Sequence, residues 1–177
     1  ATEDVIVLND DLEVIAEDWI ESLLTYSRKP GIGAVGAMLV YPDGKIQHAG
    51  VVMGVNGIST HIFHNAPSEE ISYAGYSHLV RNYSAVTGAV LATKMSLVKL
   101  VGGFDENLRV DYNDIDFCLK LRRKGYRIVY TPFAKLYHFE GSTLVRKQVS
   151  DSDKFFFLDK WQSEVSLDPY YNINLPK

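Results

Sequence analysis

The run Val5-Ile6-Val7-Leu8 is short, apolar and of β type, and it stops abruptly at Asn9-Asp10-Asp11. Beyond it, Trp19, Ile20, Leu23 and Leu24 recur at helical spacing until Pro30-Gly31 breaks the period. A strand that hands over to an amphipathic helix is the building unit of α/β proteins, so the chain is expected to form a sheet with helices packed on it. A buried parallel strand needs neighbours on both sides, and only four residues precede Val5.

The rest of the chain repeats the alternation. Ala34 to Val40 reads as a second apolar strand, and Tyr41-Pro42-Asp43-Gly44 supplies turn chemistry before Ile46 to Val55, which predicts a hairpin. From Asn56 to Asn82 the chain is rich in His, Ser, Tyr and Gly without a period. Compact domains keep so long a loop or small subdomain mainly for function, which makes it the first candidate for substrate contact. Ser84 to Ala92 is a third apolar run, followed by a helix over Met95 to Val101 that Gly102-Gly103 stops. A helix over about Asp114 to Lys124 carries Ile115, Phe117, Cys118, Leu119 and Leu121 and ends in cations that complement its dipole. Tyr126 to Tyr130 is a further strand. A last helix, about Ser152 to Val165, is capped by Ser150 or Ser152 and buries its aromatic cluster from Phe155 to Trp161. At 177 residues this is one domain, 1–177, with a tail from about 150 that is helical and then extended.

Composition narrows the function classes. Lys and Arg total 18 against 22 Asp and Glu, a net charge of −4, with 46% hydrophobic and 23% charged residues. That is an ordinary globular balance, which argues against disorder and against a polyanion-binding surface, so no nucleic acid is expected as partner. The single cysteine, Cys118, excludes an internal disulfide framework and a Cys-based zinc cluster and suits a reducing compartment. No apolar run approaches the ~18 residues of a membrane span. Walker loops, nucleophile elbows and dinucleotide fingerprints are absent.

Three local constellations carry chemistry. Asn9-Asp10-Asp11 places oxygen donors directly after a strand, at the sheet edge where α/β proteins bind ligands. Mg²⁺ or Mn²⁺ is held at such places by one or two carboxylates together with substrate phosphates; a polar turn capping the next helix is the plainer alternative. Asp111-Tyr112-Asn113-Asp114-Ile115-Asp116 gathers three carboxylates at a helix mouth, where capping needs one. Asp114 and Asp116 are two positions apart and face different sides of the helix, so at most one of them aims at a shared reaction centre. Tyr137-His138-Phe139-Glu140-Gly141-Ser142-Thr143 offers an imidazole and hydroxyls, with Arg146-Lys147 just beyond. The other histidines, His48, His61, His64 and His78, are more simply structural. Thr87-Gly88-Ala89 inside an apolar run marks either a bulge or a close backbone approach to a ligand.

The ordered set Leu8-Asn9-Asp10-Asp11, Thr87-Gly88-Ala89, Gly102-Gly103-Phe104-Asp105-Glu106, Asn113-Asp114-Ile115-Asp116 and Tyr137-His138 resembles glycosyltransferase family 2. Through His48-Ala49-Gly50-Val51-Val52, Arg81-Asn82-Tyr83-Ser84-Ala85-Val86-Thr87-Gly88 and Asp168-Pro169-Tyr170-Tyr171-Asn172 it is similar to bacterial enzymes of O-antigen and rhamnan-type polysaccharide assembly. The resemblance implies an α/β, partial GT-A (nucleotide-diphospho-sugar transferase) fold: a mixed sheet flanked by helices that lacks the N-terminal nucleotide-binding half, and a chain that is the C-terminal portion of the catalytic domain. It implies inverting transfer from a nucleotide-diphosphate sugar to a glycan or lipid-linked acceptor hydroxyl, with a divalent metal, Mn or Mg. By that resemblance Asp114 is the catalytic base and Asp11 and His138 are metal ligands. Asn9, Asp10, Thr87, Gly88, Asn113, Asp116 and Glu140 then fall to substrate binding.

The same resemblance implies a cytoplasmic protein, with peripheral association at the inner membrane face, a fragment inactive alone, and a sheet edge open to homodimer pairing. The leading alternative is a non-catalytic carbohydrate-binding or assembly module that stacks sugars on the Asn56–Tyr83 loop and on Tyr170-Tyr171. A metal-dependent phosphohydrolase using Asp11 and Asp114 is a third. Geometry separates them: Asp11, Asp114 and His138 either converge on one cleft or they do not.

Overall fold

The computed structural model of the chain describes residues 3–71, 73–108, 111–139 and 150–175. Among them are nine strands, β1 (Asp4–Leu8), β2 (Leu12–Val14), β3 (Ile32–Val40), β4 (Ile46–His48), β5 (Val51–Met53), β6 (Ser59–His61), β7 (Arg81–Tyr83), β8 (Val90–Lys94) and β9 (Arg127–His138). Four α-helices accompany them: α1 (Trp19–Ser27), α2 (Met95–Val101), α3 (Asn113–Arg123) and α4 (Asp151–Ser166).

The main sheet runs β1-β8-β3-β9-β2, with β4 added to β3 and β7 to β9. It is mixed. β3 and β9 are parallel, and the other pairs are antiparallel. All nine residues of β3 are buried because both faces of the sheet are covered. Ala34, Met38 and Val40 join the core under α3 and α4, and Val35, Ala37 and Leu39 join the core under α1, as a period of two requires. Phe157 and Trp161 of α4 are fully buried, whereas Phe155 faces solvent. Among the described residues no helix is long and apolar enough to cross a membrane.

Several elements depart from the sequence reading. β1 is antiparallel to β8 and half-buried; it ends the sheet, and among the described residues it pairs on one side only. The hairpin forms, but Ile46 to Val55 is not one strand. Gly50 turns the chain out of the sheet at φ +109°, and a Cβ there would lie 2.1 Å from the Tyr83 ring. β5 therefore pairs with β6 in a separate ribbon. Ser84 to Ala89 is not strand either; only Val90 onward joins the ladder. β9 runs eight residues past Tyr130, crossing Pro132 at a register shift between Ala37 and Met38 of β3, a bulge that absorbs the missing N–H. Ser150 stands at the N-cap of α4, but its hydroxyl bonds Ser152 at 2.6 Å and not a backbone N–H.

Candidate active site

Strand pairing builds the first half of the site. β2 sets Leu12 opposite His138, and the Phe139 N–H donates to the Asp11 carbonyl at 3.0 Å, so Asp11 is laid beside the end of β9. Its carboxylate Oδ1 lies 3.0 Å from His138 Nε2. The Asn9 amide nitrogen stands 3.2 Å from the same Nε2. On the far side of the ring, Nδ1 is 2.5 Å from the Gln47 side-chain oxygen, which can only accept. Nδ1 therefore carries the proton, and in the neutral ring Nε2 presents a lone pair.

Helix α3 builds the second half. Tyr112 precedes it in the left-handed region at φ +65°, a strained conformation of the kind that collects at functional sites, and its ring stacks on Phe157 with centroids 4.9 Å apart. Asn113 and Asp114 follow at the cleft. Asp114 Oδ2 accepts the Gly88 N–H at 2.7 Å and Oδ1 accepts the Ile115 N–H at 2.8 Å. A Cβ on Gly88 would lie 3.2 Å from Asp114 Cβ, so the close approach foreshadowed by Thr87-Gly88-Ala89 is to this carboxylate. The two halves share one cleft of about 840 Å³, lined by Asn9, Asp11, Gln47, Thr87, Gly88, Asn113, Asp114 and His138. Tyr41, Ser59, Thr60, His61 and His64 form another part of its wall.

The donor set fits a hard divalent cation. Asp11 Oδ1 is buried without a hydrogen-bond donor, and it points at an imidazole nitrogen whose lone pair is turned to the same place. Two lone pairs 3.0 Å apart repel unless a proton or a metal cation lies between them, so with a neutral ring the place suits a metal cation. The Gln47 contact is the outer-shell bond that orients metal-binding histidines. No group of three or more His, Cys, Asp or Glu at metal-binding spacing occurs among the described residues, so this site would offer two such protein ligands and leave positions for phosphate and water.

A model of the glycosyltransferase-like family matches residues 4–160. The chain belongs to that family. It is 42% identical over 178 residues to a Sinorhizobium fredii protein designated y4gI, covering 97% of this chain and 20% of that protein. It is 33% identical over 174 residues to the O-antigen biosynthesis protein RfbC of Myxococcus xanthus, covering 97% of this chain and 14% of that one. The chain thus spans a fifth or less of the length of these curated relatives. Among solved structures it is similar to GalNAc-T7 with UDP, GalNAc and Mn²⁺, with a TM-score of 0.65 at 13% identity, covering 93% of this chain and 34% of that one. A mannosyltransferase of Pyrobaculum calidifontis in complex with GDP-Man and Mn²⁺ gives a TM-score of 0.52 at 20% identity, covering 81% of this chain and 34% of that one. The fold of this member of the family is therefore a partial GT-A fold, as the motif order implied.

Of the residues singled out in the sequence, Asn9, Asp11, Thr87, Gly88, Asn113, Asp114 and His138 meet at the cleft. Asp10 is exposed and outside its lining. The substrate-binding expectation for Asp116 is corrected. Its carboxylate is fully buried, accepts the Trp161 indole N–H at 2.9 Å and sits 3.0 Å from Lys120 and 2.7 Å from Lys160. Glu140 lies outside the described residues, as do Thr143, Arg146 and Lys147. Burial pushes the Cys118 thiol up to about 12, so it is an inert part of the core. Sequence reasoning passed over Gln47 and Tyr41 as site residues, and it read His61 and His64 as structural although they lie in the Asn56–Asn82 loop named as the first candidate for substrate contact. A glutamine inside the apolar strand Ile46-Gln47-His48 was the one available signal, since a buried amide needs partners.

Proposed function

We infer that the cleft binds a nucleotide-diphosphate sugar and performs inverting transfer to an acceptor hydroxyl in bacterial surface polysaccharide synthesis. The observation that carries this reading is the meeting of Asp114 with the Asp11–His138 pair at one cleft. The acceptor oxygen attacks the anomeric carbon as the bond to the diphosphate breaks, and the electron pair leaves on the diphosphate. The acceptor proton passes to Asp114. Two backbone N–H groups hold that carboxylate, one on each oxygen, which fixes its aim and leaves a lone pair on each for the incoming O–H. Asp11 and His138 would hold the Mn or Mg ion, which supplies a positive charge for the departing diphosphate. Gln47 keeps the His138 proton on Nδ1, so Nε2 keeps its lone pair, which the Asn9 amide faces at 3.2 Å and would yield to the ion.

Asp114→Asn tests the reading in the intact protein. Transfer should fall by about 10²- to 10⁴-fold, the usual contribution of a general base, while donor binding measured by calorimetry with Mn²⁺ stays within about threefold. Near-normal transfer would remove Asp114 from the role. The isolated 177-residue segment is expected to bind donor weakly and to transfer nothing, which calorimetry with uridine or thymidine diphosphate sugars plus Mn²⁺ checks. A cytoplasmic setting with the acceptor at the inner membrane face, and pairing of two copies through the β1 edge, complete the proposal.

The carbohydrate-binding alternative loses one of its supports. Tyr170 and Tyr171 pack on the core, and Tyr170 lies under the Arg122 guanidinium at 5.3 Å and outside the cleft lining.

A further inference from the structure

The segment Thr87-Gly88-Ala89 is a strap across the floor of the cleft, and each of its polar bonds leads somewhere specific. The Ala89 carbonyl accepts the Asn9 N–H at 3.0 Å, which ties the strap to the loop of Asp11. The Gly88 N–H donates to Asp114 at 2.7 Å. The Thr87 N–H points the other way, to Nε2 of His48, at 3.2 Å. His48 is the last residue of β4 and is completely buried, and its Nδ1 lies 2.9 Å from the Ala37 carbonyl of β3. Both partners are backbone groups of fixed polarity. A carbonyl only accepts, so Nδ1 donates; an N–H only donates, so Nε2 accepts. The ring is therefore locked as the Nδ1–H tautomer between the central strand and the strap, and burial, followed by His61 alongside, holds its pKa down at about 3.

We propose that His48 is a positioning residue for sugar transfer: by accepting the Thr87 N–H it fixes the strap whose next N–H aligns the Asp114 carboxylate. The role rests on Asp114 being the base. Elsewhere the strap is held by packing and by weaker or more distant bonds: the Cys118 thiol, a weak donor, reaches the Val86 carbonyl at 3.7 Å, and the Ala89 N–H donates to Thr87 Oγ1 at 3.3 Å. Gly36 lets Val86 lie flat on β3, where a Cβ would come within 2.5 Å of it, and Ala85 bridges to Val51. Without the imidazole, the part-buried Thr87 N–H loses its acceptor, and the peptide that carries it is free to turn towards another.

Asparagine and glutamine divide the two nitrogens between them. The amide nitrogen of Asn reaches about as far as Nδ1, and the amide oxygen of Gln about as far as Nε2. In the intact protein, His48→Asn keeps the bond to Ala37 and leaves Thr87 without a partner, whereas His48→Gln keeps the bond to Thr87. With UDP-, GDP- and dTDP-hexoses plus Mn²⁺ as probes, and nucleoside diphosphate release as readout, kcat of His48→Asn should fall at least tenfold with donor KM within about twofold. His48→Gln should stay within about threefold of wild type. A role confined to filling the core moves both variants alike, and equal losses overturn the proposal.

A second readout needs no turnover. With ¹⁵N-glycine labelling, the Gly88 amide proton should keep its downfield shift and exchange protection in His48→Gln and lose protection at least tenfold in His48→Asn; an unchanged Gly88 amide in His48→Asn overturns the proposal. If Asp114→Asn transfers normally while Gly88 still responds to His48, the base assignment has failed and the strap contact stands. Should the Asn variant not fold, unmutated protein decides: ¹⁵N-histidine must show an unprotonated Nε2 coupled through a hydrogen bond to the Thr87 amide, and a protonated Nε2 refutes it.

Discussion

His48 is neutral in the native state at any pH at which the protein is handled, and that has a thermodynamic consequence. Burial holds it at about 3, while the free imidazole of an unfolded chain titrates near 6.5. Below pH 6.5 the unfolded chain takes up a proton that the native one refuses, so stability present above that value is lost as pH falls towards 3. Between pH 7 and pH 5 one such group costs about 2 kcal/mol. Urea unfolding at the two pH values should therefore show a decline about 2 kcal/mol smaller in His48→Gln than in wild type. Identical declines would mean that the native ring takes up its proton as readily as the unfolded one.

At the scale of elements, the two acidic residues of α3 have separate employments. Asp114 on the first turn faces the cleft, and Asp116 faces α4, where it receives Lys160, Lys120 and the Trp161 indole N–H. Lys160 also reaches Asp105, 2.9 Å away, and holds that carboxyl down at about 2. Asp116→Asn removes the buried carboxylate that Lys120 and Lys160 share; breaking a buried pair costs about 3 to 5 kcal/mol, and because Lys160 keeps Asp105, Lys120 keeps the Gly103 carbonyl and both keep some water, the low end is expected. For a chain of this size that lowers Tm by roughly 6–12 °C, while donor KM in the folded fraction stays unchanged. An unaltered Tm would show that α4 is held by Phe157 and Trp161 packing alone. The opposite facing of these two carboxylates was legible from their spacing, and so were the four helices, whose periods and stop signals are local. What was not legible depended on partners far along the chain. The extension of β9 through Thr131-Pro132 is paid for by β3, the loss of Ser84 to Ala89 from the sheet reflects the strap's bonds to His48 and Asp114, and Gln47 acquires meaning only beside His138.

On the scale of the whole molecule, the site is a product of topology. Asn9 and Asp11 follow the edge strand β1, Gln47 and His48 come from the hairpin on β3, and His138 ends β9, so that residues 129 positions apart meet across one sheet. In the unfolded chain Asp11 and His138 are remote from each other, and a cation that prefers their joint lone pairs binds the native state alone. Mass action then converts affinity into stability: Mn²⁺ at about ten times its Kd should stabilise the fold by about 1.4 kcal/mol and raise Tm by roughly 3–6 °C. Asp11→Asn removes the buried, donorless oxygen and should cancel most of that rise, and Asp116→Asn, which lies outside the cleft, should leave the increment intact on a lower baseline. Chelation with EDTA must return the wild-type protein to its starting Tm. A rise that survives Asp11→Asn would place the cation elsewhere on the surface and leave the Asp11–His138 contact as an ordinary ion pair.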